Sequence, residues 1–292
     1  MGSKATTIEQ QIEKLSGRGM IFENEAEINK AKEILLDIGY YRLGFYWNPF
    51  EIDKDHNFAA GTKFSDVVSL YYLDVDLKNI LNKALNRIEI NLRTQLIYYV
   101  SNAYPDNPTW FANKRVMYPN FVDEFPNYYN ERFKRNNKPL KKHHANYPND
   151  MYAPAWKTLE FLTFGTIEKI YFSLKDENLK KQIANLYGIK KVNVFQNFLK
   201  TVIFVRNICA HSGILFDSNT PKEIVTTPLI KFNNNNRHSI DSSIKVILYF
   251  LEIISKNRKN SIENEIVSLF ESHSDNPVIQ KIIIENIGYN KN

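Results

Sequence analysis

The longest regular pattern in the chain is an apolar stripe between Val67 and Val100. Its apolar residues recur at intervals of three and four, with no Gly or Pro between them, which is the spacing that gathers side chains on one face of an α-helix. We therefore predict one long helix, of about nine turns at 3.6 residues per turn. The stripe consists of Leu70, Leu73, Leu77, Leu81, Leu85, Ile88, Leu92, Leu96 and Tyr99.

Shorter helical patterns lie on both sides of this segment. An aromatic cluster over 40–50 follows the first of them after Gly39, and clusters of this kind more often fill a core than stack on bases. Since no strand pattern of any length is present, we predict a mainly α fold. The additional helices are predicted over 26–38, 156–174, 179–187, 242–255, 262–270 and 278–287.

Gly165 lies inside the predicted helix over 156–174. A glycine within a helix weakens it by about 1 kcal/mol relative to alanine. We therefore expect a close helix contact or an approaching substrate at this position.

Residues 103–155 interrupt the helical patterns with many Pro, Asn and Tyr residues, which predicts a loop-rich insertion. The chain then divides into three parts. These are an N-terminal helical and aromatic extension over 1–62, a helical core over 63–217 that carries the insertion, and a C-terminal helical extension over 218–292. With 43% hydrophobic residues in 292, the chain can bury a substantial core.

The charge and the cysteine content indicate which cellular compartment and which kinds of partner the protein can have. The 38 Lys and Arg residues outnumber the 32 Asp and Glu residues, for a net charge of +6, which permits a nucleic-acid partner without requiring one. A single Cys excludes an intrachain disulfide and suits the reducing cytoplasm. The apolar run over 246–254 contains Glu252 and is about half as long as a membrane span, so we expect no membrane association.

An arginine extends the apolar face of another helix. Phe195, Phe198, Leu199, Val202 and Val205 form a stripe that, one turn further on, reaches Arg206 and Cys209. An unpaired buried charge destabilises a protein by several kcal/mol. Arg206 therefore needs an acidic partner or an anionic substrate.

A histidine follows this arginine near the predicted end of the helix. Asn207 and His211 are four residues apart and share a face, whereas Arg206 and His211 are separated by roughly 140° on an ideal helix. Either Arg206 reaches around the helix, or the helix ends at His211. Ser212 and Gly213 form a plausible stop signal, with Gly213 expected in the left-handed conformation.

Three residues elsewhere are candidates to support this pair. Glu89 and Arg93 lie one turn apart at the edge of the long stripe, in an order that favours an ion pair. This pair is either a solvated one, or Glu89 neutralises or orients Arg206 or Arg93 inside a cleft. Glu160, at the border of the predicted helix over 156–174, is the third candidate.

The insertion contains a strongly basic segment over 131–144. It is predicted to be a loop that grips RNA phosphates or stacks on unpaired bases, although a merely solvated loop has the same composition. His143 and His144 lack further ligands at metal-binding spacing, so we expect no metal. The candidate RNA-binding residues are Arg132, Lys134, Arg135, Lys138, Lys141 and Lys142.

Several stretches, in their order along the chain, resemble the Abi-like abortive-infection proteins of the AbiD and AbiF type. The resemblance covers roughly residues 20–217, about two thirds of the chain. The chain departs from it at 214–217, where family members often have a basic or Asn-Arg ending. The matching stretches are 38–43, 46–50, 58–64, Ile88-Glu89 with Arg93, 156–165, 183–188 and 206–211.

The resemblance implies both a fold and an activity. The family is similar to the HEPN superfamily, whose members are helical, commonly dimeric, and often metal-independent endoribonucleases of anti-phage defence and toxin–antitoxin systems. By this resemblance Arg206 and His211 would be the catalytic pair, with Asn207 as the polar residue beside the arginine. It implies RNA as substrate, a possible small structured RNA as partner, a homodimer, and no cofactor.

Two other functions fit the same residues. The protein could hold a structured small RNA in the same cleft without cleaving it, with Arg206 and the 131–144 segment clamping phosphates. Alternatively it could be an interaction scaffold in which Arg206 and Glu89 form a structural salt bridge.

Overall fold

The structure, a computed structural model, describes residues 4–233 and 235–290. The described residues form helices, with a long irregular connection over 211–233 and 235–239, and contain no strand, only isolated bridges such as that between Met117 and Leu174. The predicted mainly α fold is confirmed. The helices are α1 (Ile8–Gly17), α2 (Glu25–Asp37), α3 (Tyr40–Trp47), α4 (Phe64–Ala103), α5 (Pro119–Glu124), α6 (Glu131–Asn136), α7 (Lys138–Asn146), α8 (Ala155–Thr158), α9 (Phe164–Ser173), α10 (Glu177–Asn185), α11 (Val192–Ala210), α12 (Ile240–Ile254), α13 (Lys256–Glu271) and α14 (Pro277–Ile282), which continues as a π-helical turn over Ile283–Ile287.

The 40-residue helix α4 is the centre of the bundle. The helices α3, α11, α12 and α13 pack against it, and its leucine and isoleucine stripe is buried along the whole length. The long helix predicted from the apolar spacing is therefore confirmed. It extends a few residues beyond the predicted stripe at both ends, to Phe64 and Ala103.

The N-terminal part contains two helices that the apolar spacing did not indicate. Helix α1 begins with a capping box, in which the Thr7 hydroxyl accepts a hydrogen bond from Gln10 N and the Gln10 side chain accepts one from Thr7 N. Helix α3 is the aromatic cluster itself. It buries Tyr46 and Trp47, while Tyr41 remains 82% exposed, so the expected packing role is confirmed for part of the cluster.

The helix predicted over 156–174 is broken in the middle. After α8 and a 3-10 turn, Leu162 adopts an extended conformation and Thr163 caps α9 by accepting a hydrogen bond from Thr166 N. Gly165 is therefore in the first turn of α9, and a Cβ added there would meet nothing within 4 Å. The expectation of a close contact at Gly165 was wrong, because the local capping preference of Thr163 interrupts the continuous periodicity.

The basic segment over 131–144 is helical, contrary to the predicted loop. Asn130 caps α6 by accepting a hydrogen bond from Phe133 N, and α7 follows directly with Pro139 in its first turn. Both helices rest on an aromatic cluster in which the Tyr129 hydroxyl contacts His144 Nε2 at 2.8 Å and accepts a hydrogen bond from Ala153 N. Tertiary packing on these rings accounts for the order that the composition did not reveal.

The division into parts over 1–62, 63–217 and 218–292 remains a prediction, and residues 1–3, 234, 291 and 292 of those parts lie outside the described residues. Helices α12 and α13, from the C-terminal part, pack on α4 and on each other. No helix formed by residues 4–233 and 235–290 combines the length and the apolar character that crossing a bilayer requires.

Candidate functional site

Helix α11 ends where the sequence predicted, so that His211 occupies the C-cap position. Its backbone N–H donates to Asn207 O at 3.1 Å, and Gly213 N donates to Ile208 O at 2.8 Å, the bond that closes a Schellman-type helix end. The left-handed residue is Ser212, with φ of 54°, and not Gly213 as expected. Gly213 is required for space instead, because a Cβ there would lie 3.2 Å from Ile208 Cα.

Arg206 has the acidic partner that its position demands. Its Nε donates to Glu89 Oε2 on α4 at 3.2 Å, and its side chain is 27% exposed. The other carboxylate oxygen of Glu89 accepts a hydrogen bond from Arg93 at 2.7 Å. Glu89 therefore joins both arginines, which confirms its predicted pairing with Arg93 and Arg206 rather than a fully solvated pair.

Arg93 also fixes the break between α8 and α9. Its guanidinium donates to Leu162 O at 3.0 Å, a carbonyl that the interruption of the helix leaves without a helical partner. Two arginines surround one carboxylate, so the cluster of Arg93, Glu89 and Arg206 retains one positive charge. Such a cluster suits an anionic group at its open side.

The remaining two motif residues are exposed. Asn207 Oδ1 accepts a hydrogen bond from the Arg206 guanidinium at 3.4 Å, and the His211 side chain lies at the surface at the end of α11. Within the described part of the chain the imidazole makes no hydrogen bond. Arg206 and Asn207 thus form a contact beside an accessible histidine.

Glu160 is not joined to this cluster by any ion pair or hydrogen bond between described residues. It lies exposed on the 3-10 turn Leu159–Phe161. Its connection with the site is indirect, since Leu162, two residues further on, accepts the hydrogen bond from Arg93.

A buried network behind the motif escaped prediction. The Asp74 carboxylate accepts hydrogen bonds from Leu215 N at 3.0 Å, Phe216 N at 2.8 Å and the Tyr46 hydroxyl at 2.8 Å. Lys78, one turn further along α4, pairs with Asp74 at 2.8 Å and donates to Gly213 O at 2.9 Å.

This network holds the chain that follows His211 against α4. Asp74 is fully buried and Lys78 nearly so, and burial raises the pKa of the Tyr46 hydroxyl, with the Asp74 charge adding to the effect. Asp74 and Lys78 fall between leucines of the long apolar stripe. That position was the signal in the sequence, since polar residues on a core-facing stripe need partners.

The six candidate RNA-binding cations differ in their availability. Lys134 pairs with Glu131 at 2.7 Å and lies 5.8 Å from the centre of the Tyr129 ring, so it takes part in internal packing. The other five are exposed and form no ion pair with any described residue. They are Arg132, Arg135, Lys138, Lys141 and Lys142.

Two other features bear on the chemistry. Burial raises the pKa of the Cys209 thiol to about 12, so a thiolate nucleophile is not available there near neutral pH. Among residues 4–233 and 235–290, no three His, Cys, Asp or Glu side chains are arranged to hold a metal ion.

The fold and these contacts define a helical protein with an arginine–histidine motif at the end of a core helix. Comparison with known families matches residues 33–217 to the family described as Abi-like protein. The chain belongs to this Abi-like abortive-infection family. The matched segment runs from α2 to just beyond His211 and so includes Glu89, Arg93 and Arg206. No curated protein and no solved structure matches the chain.

Proposed function

We propose that the protein is a metal-independent endoribonuclease of the HEPN type. It would act in the cytoplasm, in abortive infection or toxin–antitoxin defence. The observation that carries this proposal is the ion pair between Arg206 and Glu89, which holds a partly exposed guanidinium against Asn207, with His211 accessible one turn further on. Family membership supports the defence role.

The proposed reaction uses the nucleophile that RNA carries itself. The 2′-hydroxyl loses its proton and attacks the adjacent phosphorus, the bond to the 5′-oxygen breaks, and that oxygen takes up a proton. The products are a 2′,3′-cyclic phosphate and a 5′-hydroxyl. His211 transfers the proton, Arg206 stabilises the charge of the phosphorane, and Asn207 orients the imidazole or a phosphate oxygen.

Glu89 has a positioning role in this scheme. Its carboxylate engages Nε of Arg206 at 3.2 Å, and Nη1 donates to Asn207 at 3.4 Å. Among the described residues this leaves Nη2 of the guanidinium for a phosphate. Because Arg93 shares the same carboxylate, the negative charge of Glu89 does not cancel the attraction of the cluster for an anion.

A homodimer completes the proposed site. One protomer supplies a single motif histidine, whereas the reaction needs a base and an acid. Two Arg206 and His211 pairs brought together across a twofold axis would supply both. No cofactor enters the scheme.

The test is cleavage of a single-stranded RNA in the presence and absence of EDTA, with identification of the product ends. Wild-type protein should yield cyclic phosphate and 5′-hydroxyl ends in both conditions. His211→Ala should lose at least about a hundredfold in rate, as general acid–base groups contribute that much. His56→Ala, which removes another surface histidine, should retain activity. Activity abolished by EDTA, or ends that His211→Ala leaves unchanged, would refute the scheme.

A second function is favoured by the five exposed cations of α6 and α7. In it, the protein binds a structured small RNA without cleaving it, and these cations clamp phosphates. Replacing Arg135, Lys138 and Lys142 by Glu should then abolish RNA binding, while His211→Ala should preserve function. If the protein is instead an interaction scaffold, the salt bridge between Arg206 and Glu89 is a purely structural contact. Neither variant should then bind RNA at moderate salt.

A further inference from the structure

A pocket of about 380 Å³ lies along α11, on a different face of the helix from Arg206. One wall consists of successive turns of α11 with Gln196, Lys200 and Phe204, and the other is the segment over 220–225, which includes Lys222. None of these residues belongs to the cluster around Glu89.

The Asn197 side chain holds the two walls of the pocket together. Its side-chain amide donates to Glu223 O at 2.9 Å, and its carbonyl oxygen accepts a hydrogen bond from Val225 N at 2.9 Å, which ties the loop wall to the helix wall. The Glu223 carboxylate pairs with Arg237. The acidic group of the loop is therefore already neutralised.

The lining offers three kinds of contact at once. Phe204 is a partly buried ring, so its position is fixed by the core. The Gln196 amide makes no hydrogen bond, and Lys200 and Lys222 make no ion pair or hydrogen bond, with any residue in the described ranges. A ring for stacking, an amide for base edges and two cations for phosphates are the means by which proteins hold single-stranded RNA.

The pocket shares one face of α11 with Asn207 and His211, two of the three motif residues. Asn207 lies three residues after Phe204 and His211 four residues after Asn207, the spacing of neighbours along a helix surface. Phe204 and His211 are about 10 Å apart along the axis at 1.5 Å per residue. A strand seated in the pocket would therefore run directly towards Asn207 and His211.

We infer that this pocket is a nucleotide-binding subsite, which stacks an unpaired base of the RNA on Phe204 and leads the strand to His211. The inference rests on the proposed ribonuclease function and adds to it where the substrate is held. The substrate is accordingly a single-stranded or looped segment, since a paired base cannot enter the pocket.

The experiment measures binding separately from cleavage. Fluorescence anisotropy is recorded with a labelled single-stranded RNA heptamer carrying 2′-O-methyl groups throughout, which removes the nucleophile. Phe204→Leu, which keeps an apolar side chain against the core, should weaken binding about tenfold, because stacking on one base is worth about 1–3 kcal/mol. Tyr98→Leu, at an exposed aromatic outside the pocket, is the matched control and should bind as wild type does.

The lysines are tested with a charge-matched pair of variants. Lys200→Gln with Lys222→Gln should weaken binding by about tenfold at low salt and by less at high salt, because phosphate contacts are screened. Lys181→Gln with Lys256→Gln removes the same charge from exposed positions elsewhere and should have little effect.

The outcomes separate the subsite from the ribonuclease. If the pocket variants bind the heptamer as wild type does, or if wild type does not bind it, the subsite is refuted, even where unmodified RNA is cleaved. If the pocket variants lose binding but wild type leaves unmodified RNA intact, the subsite stands and the ribonuclease proposal fails. A change from dimer to monomer in Phe204→Leu would identify the pocket as a subunit contact and overturn the inference.

Discussion

Glu89 has an importance that its position at the edge of a stripe does not suggest. It is 13% exposed and is shared by Arg93, which is 9% exposed, and Arg206. A largely buried carboxylate that pairs with two guanidinium groups offsets the cost of removing both from water. Its removal therefore affects stability as well as any chemistry of Arg206.

We predict that Glu89→Gln lowers the free energy of unfolding by about 3 kcal/mol, because breaking a buried pair leaves an uncompensated charge on Arg93. Urea denaturation monitored by circular dichroism measures the change. Glu265→Gln is the control, since its partner Lys83 is 60% exposed and such pairs contribute at most about 1 kcal/mol. Equal, small changes in the two variants would show that the arginine cluster is effectively solvated.

We predict that the buried carboxyl of Asp241 makes the stability of the protein depend on pH. Burial raises its pKa from 3.8 to about 6, and Oδ2 has no hydrogen-bond partner among the described residues. The folded state thus binds a proton more tightly than the unfolded state between these values. Below pH 3.8 the Asp241 carboxyl is protonated in both states and does not change the free energy of unfolding. As the pH rises from 3.8 to about 6, the group lowers this free energy by an increasing amount.

Asp241→Asn should therefore gain stability relative to wild type as the pH rises from 4 to 7, by up to about 3 kcal/mol. Urea midpoints of both proteins across this range provide the measurement, and groups common to both proteins cancel in the difference. A difference that stays constant with pH would mean that the carboxylate ionises as readily in the folded state as in the unfolded chain.

At the scale of residues, the sequence showed which buried charged side chains require a partner more clearly than it showed which groups are those partners. The stripe that reaches Arg206 predicted a buried guanidinium, and Glu89 was a correct candidate to meet it. The same reasoning applied to Asp74 and Lys78 would have predicted a buried network on α4. Leu215 N and Phe216 N as its partners depend on how the chain returns after α11, which no local pattern encodes.

At the scale of elements, two glycines at opposite kinds of helix end have opposite roles. Gly165 lies in the first turn of α9 with open space around its Cα, whereas a Cβ at Gly213 would approach the backbone of Ile208. Gly165→Ala should stabilise the protein by about 0.5–1 kcal/mol, through a smaller loss of chain entropy on folding. Gly213→Ala should destabilise it by a similar or larger amount, because the end of α11 must shift.

Thermal unfolding of the two alanine variants tests the pair together, and each serves as the control of the other. Stabilisation by Gly213→Ala would contradict the close packing of the segment after His211. Gly213→Ala should also lower RNA cleavage, since the helix end that it displaces carries His211. Gly165→Ala should leave RNA cleavage unchanged.

Helical periodicity was sufficient for the long elements and insufficient for the short ones. The spacing of apolar residues located α4 and α11, because a long buried stripe leaves no alternative to a helix. It failed at Leu162, where a capping threonine and a hydrogen bond from Arg93 to a free carbonyl stabilise a break. It failed again over 131–144, where α6 and α7 depend on contacts with the Tyr129 ring rather than on a stripe of their own.

At the scale of the whole molecule, α4 connects the parts that the proposed function uses. Its Glu89 holds Arg206, while its Asp74 and Lys78 hold the segment over 213–216. Contacts with the same helix therefore hold Arg206 and the segment that follows His211, and these contacts restrict the relative motion of Arg206 and His211. The proposed association of two such molecules is determined neither by the periodicity nor by the contacts within one chain.

The proposed composite site of a homodimer predicts a specific effect of mixing active and inactive protomers. If each site needs both copies of His211, only wild-type dimers cleave RNA. After exchange of protomers in an equal mixture of wild type and His211→Ala, random pairing leaves about one quarter of the dimers fully wild type. The specific activity per total protein should then fall to about one quarter of that of wild type, whereas independent protomers would give about one half.

Light scattering on the mixture establishes its dimeric mass, and a mixture with Lys181→Gln, at an exposed position on α10, is the control for the exchange procedure. A value near one half, or activity from a monomer, would show that one Arg206 and His211 pair is sufficient. In that case a group other than a second histidine must protonate the leaving oxygen. Asn207 cannot do so, because an amide is not an acid near neutral pH, and water is then a candidate proton source.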